Sequence, residues 1–445
     1  MVSECLLSFS GRLRDTSTEL TVVDHSGRRA RAAGELRVAR RGLALHIWPA
    51  RPARDTRTRV MKVAGLFAGI GGFERGLAVS GHESVLFCES WAPAVAVLRA
   101  RFPDVPIHPD IRERFDLPGG TDLVCAGFPC QDLSQAGKTA GIGGERSGLV
   151  GHVFDLLSRQ RVPWVVLENV SFMLHLDGGR ALDRLVSALE ELGYLWAYRK
   201  VNSLAFLPQR RERVFLVASR VGDPADVLFV DEERPPKVDT TLDTHAHGFY
   251  WTEGTRGLGW APDAVPTLKN GSTVGIPSPP AILMPSGSVV TPDIRDAERL
   301  QGFPEDWTKP AEQEGRASLR WSLVGNAVTV PVAEWIGRRL VEPGGYSREL
   351  DLTDALVGKW PSAARFNGVS RCAVEISSYP VWQERQHLHT FLRYGGKLLS
   401  AKASRGFLSR ADSSSLRFVD GFKDKVRLHL QSCLAESSKV RRVAA

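Results

Sequence analysis

The chain has 445 residues, long enough for two or three domains with a sizeable core, and a formal net charge of +8. Residues 1–60 hold twelve arginines, no lysine and six acids, so the rest of the chain is close to neutral. A uniformly basic surface is thereby excluded, and any nucleic-acid groove must be locally basic. Six scattered cysteines with no Cys-x-x-Cys pair argue against a zinc site or a disulfide framework, and no run approaches the roughly 18 apolar residues of a membrane span; the expectation is a soluble cytoplasmic protein.

Residues 1–60 are rich in Arg, Ala and Gly and show no clear period. They read as a basic arm, a small β unit, or an upstream segment foreign to the natural protein. From residue 62 the pattern becomes regular. Lys62 to Phe67 reads as a strand, Ala68 to Gly72 as a glycine-rich turn, and Phe73 to Ser80 as a helix. Such a unit lets backbone N–H groups approach a ligand closely, and its glycines depart from the dinucleotide Gly-x-Gly-x-x-Gly pattern. A second strand, Ser84 to Cys88, ends at Glu89, where an acid is placed to bind ribose hydroxyls. A helix from Trp91 to Phe102 follows, and a strand-like piece then leads to Asp110.

Leu123 to Ala126 reads as a short buried strand opening into the loop Gly127-Phe-Pro-Cys130-Gln, which sets one thiol at the carboxyl edge of a sheet. The glycine-rich stretch 137–151 reads as a loop that closes over a ligand, or as an ordinary surface loop. Pro163 to Leu167 is a strand running into Glu168-Asn-Val170. Arg180 to Gly193 is a helix whose leucine stripe marks core packing, and Pro208-Gln-Arg-Arg-Glu-Arg213 precedes the strand Val214 to Ala218. Residues 219–297 turn irregular and rich in Pro and Gly, which predicts a separate small domain. Helical pattern returns at Asp293 to Pro304, and Leu323 to Val328 reads as a turn into the helix Pro331 to Leu340. Residues 343–445 read as an extension without a catalytic signature, with an amphipathic helix near 419–435.

Six segments in this order resemble the cytosine-5 DNA methyltransferases: Phe67-Ala-Gly-Ile-Gly-Gly72, Gly127-Phe-Pro-Cys-Gln131, Glu168-Asn-Val170, Gln209-Arg-Arg-Glu-Arg213, Arg299-Leu-Gln-Gly-Phe-Pro304 and Gly325-Asn-Ala-Val328. The resemblance spans roughly residues 62–342. It implies an α/β, Rossmann-like S-adenosylmethionine-dependent methyltransferase fold: a doubly wound, mostly parallel sheet, with a small target-recognition domain inserted at 219–297. Catalytic-domain sequence would then occupy 61–218 and return at 298–342.

The resemblance further implies that Cys130 is the nucleophile that adds to carbon 6 of cytosine, with Glu168 serving ring nitrogen 3. Arg213 would contact the base oxygen, and Arg211 would lie near the cysteine or backbone phosphates. The base would have to be flipped out of the duplex. For S-adenosylmethionine it implies Phe67, Gly69, Ile70, Gly71, Gly72, Glu89, Ser90, Asp110, Ile111, Pro129, Asn326 and Val328. Departures from the family pattern are Asp132-Leu133 after Pro-Cys-Gln, Ser90 where an apolar residue often packs on adenine, and Pro109 before Asp110. The implied partners are double-stranded DNA and cognate restriction or defence proteins, with no membrane, for a monomeric enzyme. Two alternatives stay open. One is an RNA cytosine-5 methyltransferase, disfavoured by the insert of about 79 residues. The other is a catalytically silent DNA-binding homologue, disfavoured by the presence of Cys130, Glu168 and Arg213 together.

Overall fold

The computed structural model describes residues 60–128, 148–269, 279–352, 356 and 360–443, together with two strands of the N-terminal region. Those two, Leu20–Val23 and Arg29–Ala32, pair antiparallel in a unit of their own. The remainder of residues 1–59 lies outside the described residues, as do Pro129, Cys130 and the loop up to residue 147.

In the main unit, β1 (Lys62–Leu66), β2 (Glu83–Cys88) and β3 (Ile107–His108) run parallel and step outward in one direction. The chain then crosses back and lays β4 (Leu123–Gly127) on the other side of β1, followed by parallel β5 (Trp164–Val170). β6 (Leu195–Asn202) and β7 (Glu212–Ser219) complete this half. β7 slots between β5 and β6, antiparallel to both, so the order is β3-β2-β1-β4-β5-β7-β6. The reversal between β1 and β4 opens a crevice at their carboxyl ends, where doubly wound sheets hold ligands. The central strands β1 and β4 are buried almost throughout, as an apolar run covered on both faces must be.

Helices cover both faces. α1 (Gly72–Ala78) lies on one face. α2 (Ala92–Arg101), α3 (Leu149–Arg159) and α4 (Arg180–Glu191) follow it, and α5 (Ile294–Leu300), α6 (Leu319–Asn326) and α7 (Val330–Val341) come after the insert. α3 and α4 bury Leu156, Leu157, Leu182, Leu185 and Leu189 on one side of the sheet, whereas α1 and α7 bury Phe73, Leu77, Trp335 and Ile336 on the other. Leu323 to Asn326, expected in a turn, belong to α6 itself. α7 packs so tightly on α1 that a Cβ on Gly76 would stand 2.5 Å from the Val330 carbonyl oxygen. Glycine there is a condition of the contact.

The insert forms an antiparallel sheet from β8 (His247–Phe249), β9 (Trp260–Pro262), β10 (Ala281–Leu283) and β11 (Val289–Thr291). The extension 343–445 does not stand apart from what precedes it. Its strands β12 (Asp351–Leu352), β13 (Ala363–Phe366) and β14 (Arg371–Val374) continue the large sheet beyond β6 to ten strands. β15 (Lys397–Leu398) pairs with β11, and α8 (Ala401–Asp412) and α9 (Phe422–Val443) supply Phe407, Leu408, Phe422 and Val426 to the core of the insert. Asp263 of the insert ties the two segments together. Its carboxylate accepts from Arg385 at 3.2 Å, from His387 at 3.0 Å and from the Leu388 backbone N–H at 2.8 Å.

The ring of Phe422 is fully buried against Phe249, Phe407, Phe418 and Trp260. Truncating it leaves a cavity that neighbouring aromatic rings, themselves interlocked, fill poorly. Phe422→Ala is therefore expected to cost about 3–5 kcal/mol. Urea unfolding followed by tryptophan fluorescence checks this, since Trp260 stacks on the same cluster.

Candidate active site

A cleft of about 830 Å³ opens at the carboxyl ends of β1, β2, β4 and β5. At one end the chain leaves β1 through Phe67, Gly69 and Gly71, all with positive φ, before α1 begins at Gly72. No atom stands within 4 Å of a Cβ built on Gly69, and one on Gly72 would meet the Val328 carbonyl oxygen at 2.7 Å. The turn thus keeps its backbone bare toward the cleft and seats Val328 close behind it.

Glu89 stands opposite the turn. Its Oε2 accepts from the Gly69 N–H and its Oε1 from the Trp91 N–H, both at 2.8 Å. A carboxylate pinned by two backbone donors keeps lone pairs free for hydroxyls in the cleft. Ser90, Trp91, Ile111 and Asp110 continue the same wall. Asp110 is held at about 2 by the Arg112 guanidinium, whose Nε lies 2.9 Å from its Oδ2. Arg112 is exposed, so this partner sits at the mouth of the cleft.

At the other end Glu168 and Arg213 face each other. In the antiparallel pairing of β5 with β7, Phe215 lies opposite Glu168 and Arg213 opposite Val170, which puts Glu168 and Arg213 diagonally on one face. Arg213 Nε lies 3.1 Å from Glu168 Oε1, and Arg213 Nη1 donates to the Glu212 carbonyl at 2.8 Å. Both side chains are largely buried. Burial pushes the Glu168 carboxyl above its ordinary range, and the opposing pull of Arg213 and Arg211 does not cancel it.

Arg211, expected near the cysteine or the backbone phosphates, makes its described contacts to the protein's own backbone. Its guanidinium, 1% exposed, donates to the carbonyls of Leu268 and Gly325 at 3.1 Å and of Ala327 at 2.7 Å. Spent on three carbonyls, it is not available to phosphates. It fixes the end of α6 and the base of the insert against β7, and so positions Asn326 and Val328. Gln209 helps by donating to the Leu300 carbonyl at 2.8 Å and accepting from the Leu268 N–H at 3.1 Å.

Of the expected site residues, Phe67, Gly69, Ile70, Gly72, Glu89, Ser90, Asp110, Ile111, Glu168, Arg211, Arg213, Asn326 and Val328 line this one cleft. Gly71 shapes the turn from behind, with Phe102 where a Cβ would go. Cys130 and Pro129 lie outside the described residues. The last described residue before them, Phe128, lies in the cleft wall, and the buried Asn169 Nδ2 donates to its carbonyl at 3.0 Å. Sequence reasoning missed Glu74, which lines the cleft from α1. It also missed Trp307, whose Nε1 donates to the Ile70 carbonyl at 2.9 Å and so braces the glycine turn. Glu74 had a local signal, an acid in the first turn of a short helix that must pack on a sheet; Trp307 had none.

The sequence profile described as C-5 cytosine-specific DNA methylase matches residues 61–253 and 291–342, leaving its gap inside the insert. Over 365 residues the chain is 50% identical to Type II methyltransferase M2.BsuMI of Bacillus subtilis (strain 168), covering 79% of this chain and 93% of that relative. It is 29% identical over 336 residues to Type II methyltransferase M.PspPI of Psychrobacter sp. (strain TA137), covering 64% of this chain and 80% of the relative. It is 31% identical over 296 residues to Type II methyltransferase M.NgoBI of Neisseria gonorrhoeae, covering 61% and 90%. With the ordered motifs brought together in one cleft of a doubly wound sheet, the chain belongs to the C-5 cytosine-specific DNA methylase family and is a DNA (cytosine-5-)-methyltransferase.

Proposed function

We propose that the cleft takes S-adenosylmethionine at its glycine-turn end and a cytosine, flipped out of duplex DNA, at its Glu168–Arg213 end, with Cys130 as the covalent nucleophile. The observation that carries this reading is that both ends belong to a single continuous cleft. Bound there, S-adenosylmethionine supplies an electrophilic methyl group. Glu89 would hold the ribose hydroxyls, Asp110 the adenine amino group, and Trp91 with Ile111 the face of the adenine ring that Ser90 is too small to cover. The bare turn at Gly69 leaves room for the rest of the molecule.

Carbon 5 of cytosine is a poor nucleophile, and this dictates what the protein must add. The Cys130 thiolate adds to carbon 6, which pushes electron density onto carbon 5. Glu168 shares its proton with ring nitrogen 3 as negative charge builds there, a task suited to a carboxyl that burial raises above its ordinary range. Arg213 holds Glu168 and contacts the base oxygen. After methyl transfer a water molecule takes the carbon 5 proton, ring nitrogen 3 returns its proton to Glu168 and the bond to Cys130 breaks, which restores the thiolate. The insert, completed by α8 and α9, would read base edges in the major groove. The Type II relatives support a place in restriction–modification or phage defence beside cognate proteins.

Duplex DNA carrying 5-fluorocytosine in random contexts, incubated with the protein and S-adenosylmethionine, tests this reading. Fluorine cannot leave as a proton does, so the expected result is a denaturation-resistant adduct that maps to Cys130. An adduct on the matching RNA alone would replace DNA by RNA as substrate, and no adduct on either would favour a silent homologue.

A further inference from the structure

Glu74 is a carboxylate at the floor of the cleft that the reaction above does not use. It lies in the first turn of α1, is 2% exposed, and reaches over the point where β1 and β4 pair Gly65 with Cys125. Gly65 makes this possible, because a Cβ there would fall 1.9 Å from Glu74 Oε1. The helix thus sends a carboxylate into a notch left open by the strand. Oε1 accepts from the Cys125 thiol at 3.4 Å, and Oε2 is buried with no hydrogen-bond partner among the described residues.

The surrounding groups do not neutralise it. β4 offers the Cys125 thiol, and β2 offers Phe87 and, at its end, the like-charged Glu89. β1 and the segment Ala327 to Val330 present no ionisable side chain toward it. Arg75, next in α1, turns its guanidinium onto the Trp307 ring at 4.9 Å. Across the cleft Arg213 is already in contact with Glu168 and Arg112 with Asp110.

We propose that Glu74 is the residue by which the cleft distinguishes the cationic sulfonium donor from its neutral thioether product, its buried carboxylate favouring the cation and so promoting exchange of spent cofactor. This rests on the assignment of S-adenosylmethionine to the cleft. Burial, strengthened by Glu89, raises the Glu74 carboxyl to about 7, so near neutral pH roughly half the molecules hold it protonated. A cation bound nearby stabilises the ionised form. Binding the sulfonium therefore expels that proton, whereas binding the thioether does not. Affinity for the sulfonium rises with pH as the free carboxyl, near 7, ionises, and levels off roughly one to two pH units above that value.

The test is calorimetric titration of the full-length protein at pH 7 with S-adenosylmethionine and with S-adenosylhomocysteine, each in two buffers of different protonation enthalpy. The amino, carboxyl and ribose groups are shared, so the difference isolates the sulfonium. The wild-type protein is expected to release about half a proton more with the sulfonium, given a carboxyl near 7. In Glu74→Gln that difference disappears, and preference for the sulfonium falls on the order of tenfold, the scale of one charge acting through a partly wet cleft. Equal proton counts for the two ligands in the wild type would overturn the proposal, independently of whether the variant folds. So would a Glu74→Gln protein that loses affinity for both ligands alike, the mark of a packing role. A wild-type protein that binds neither ligand would remove the cofactor assignment, and the proposal with it.

Discussion

Cys130→Ala is expected to lower methyl transfer by roughly 10⁴-fold or more, to background, while affinity for S-adenosylmethionine changes by less than about twofold. The size of the loss follows from the absence of a substitute among the described residues. Cys88 lines the same cleft, but burial and the neighbouring acids push its thiol up to about 12, so it supplies no thiolate near neutral pH. Cys125 is further removed, fully buried beneath Glu74, with its thiol raised well above the ordinary range. Cofactor affinity should survive because the turn at Gly69, the wall at Glu89 and the buried Asn169 hydrogen bond to the Phe128 carbonyl do not depend on the sulfur. Single-turnover methylation of duplex DNA, paired with equilibrium binding of the cofactor, separates the two effects. Unchanged turnover would remove Cys130 from the mechanism.

What could be read in the sequence was what chain-local chemistry dictates. The glycine turn after β1, the acid closing β2 and the Glu168–Asn169 pair after an apolar run each announce themselves within a few residues, and the fold delivers them to one cleft. The family resemblance gave Arg211 and Arg213 separate roles, but the residues themselves do not tell them apart, since both belong to one charged run of the same parity. They part only in three dimensions: β7 points Arg213 at Glu168, whereas Arg211 sits just before that strand, under the end of α6, where three carbonyls consume it.

The role of residues 343–445 was equally hidden. Strands of two to four residues such as β12, β13 and β14 carry no measurable period, and they join the large sheet only through β13, which pairs Ala363 with Arg199 and Phe366 with Trp196 of the distant β6. Long-range ties, such as Asp296 accepting from the Arg393 and Tyr394 backbone N–H groups at 3.0 Å, likewise leave no mark on either segment alone. The consequence is physical. The insert has a core built from two distant stretches, so grafting residues 219–297 without α8 and α9 would leave Phe249 and Trp260 exposed to water.

Glu168→Gln isolates the proton from the packing. The amide keeps the volume and a donor toward the base, but it cannot release a proton to ring nitrogen 3, so methyl transfer is expected to fall by about 10²–10⁴-fold. The pH profile carries the sharper signature. Because burial raises the Glu168 carboxyl despite Arg213 at 3.1 Å, the protonated form persists above the ordinary carboxylate range. Wild-type activity should then lose a factor as pH rises through that raised value, offsetting the gain from Cys130 ionisation, whose reference is about 8.5. In the variant the descending limb is gone and residual activity climbs with thiolate alone. Rates measured from pH 5.5 to 9 with saturating DNA and cofactor decide the matter: a variant that keeps the wild-type descending limb would assign that limb to another group and leave Glu168 as an anchor for Arg213.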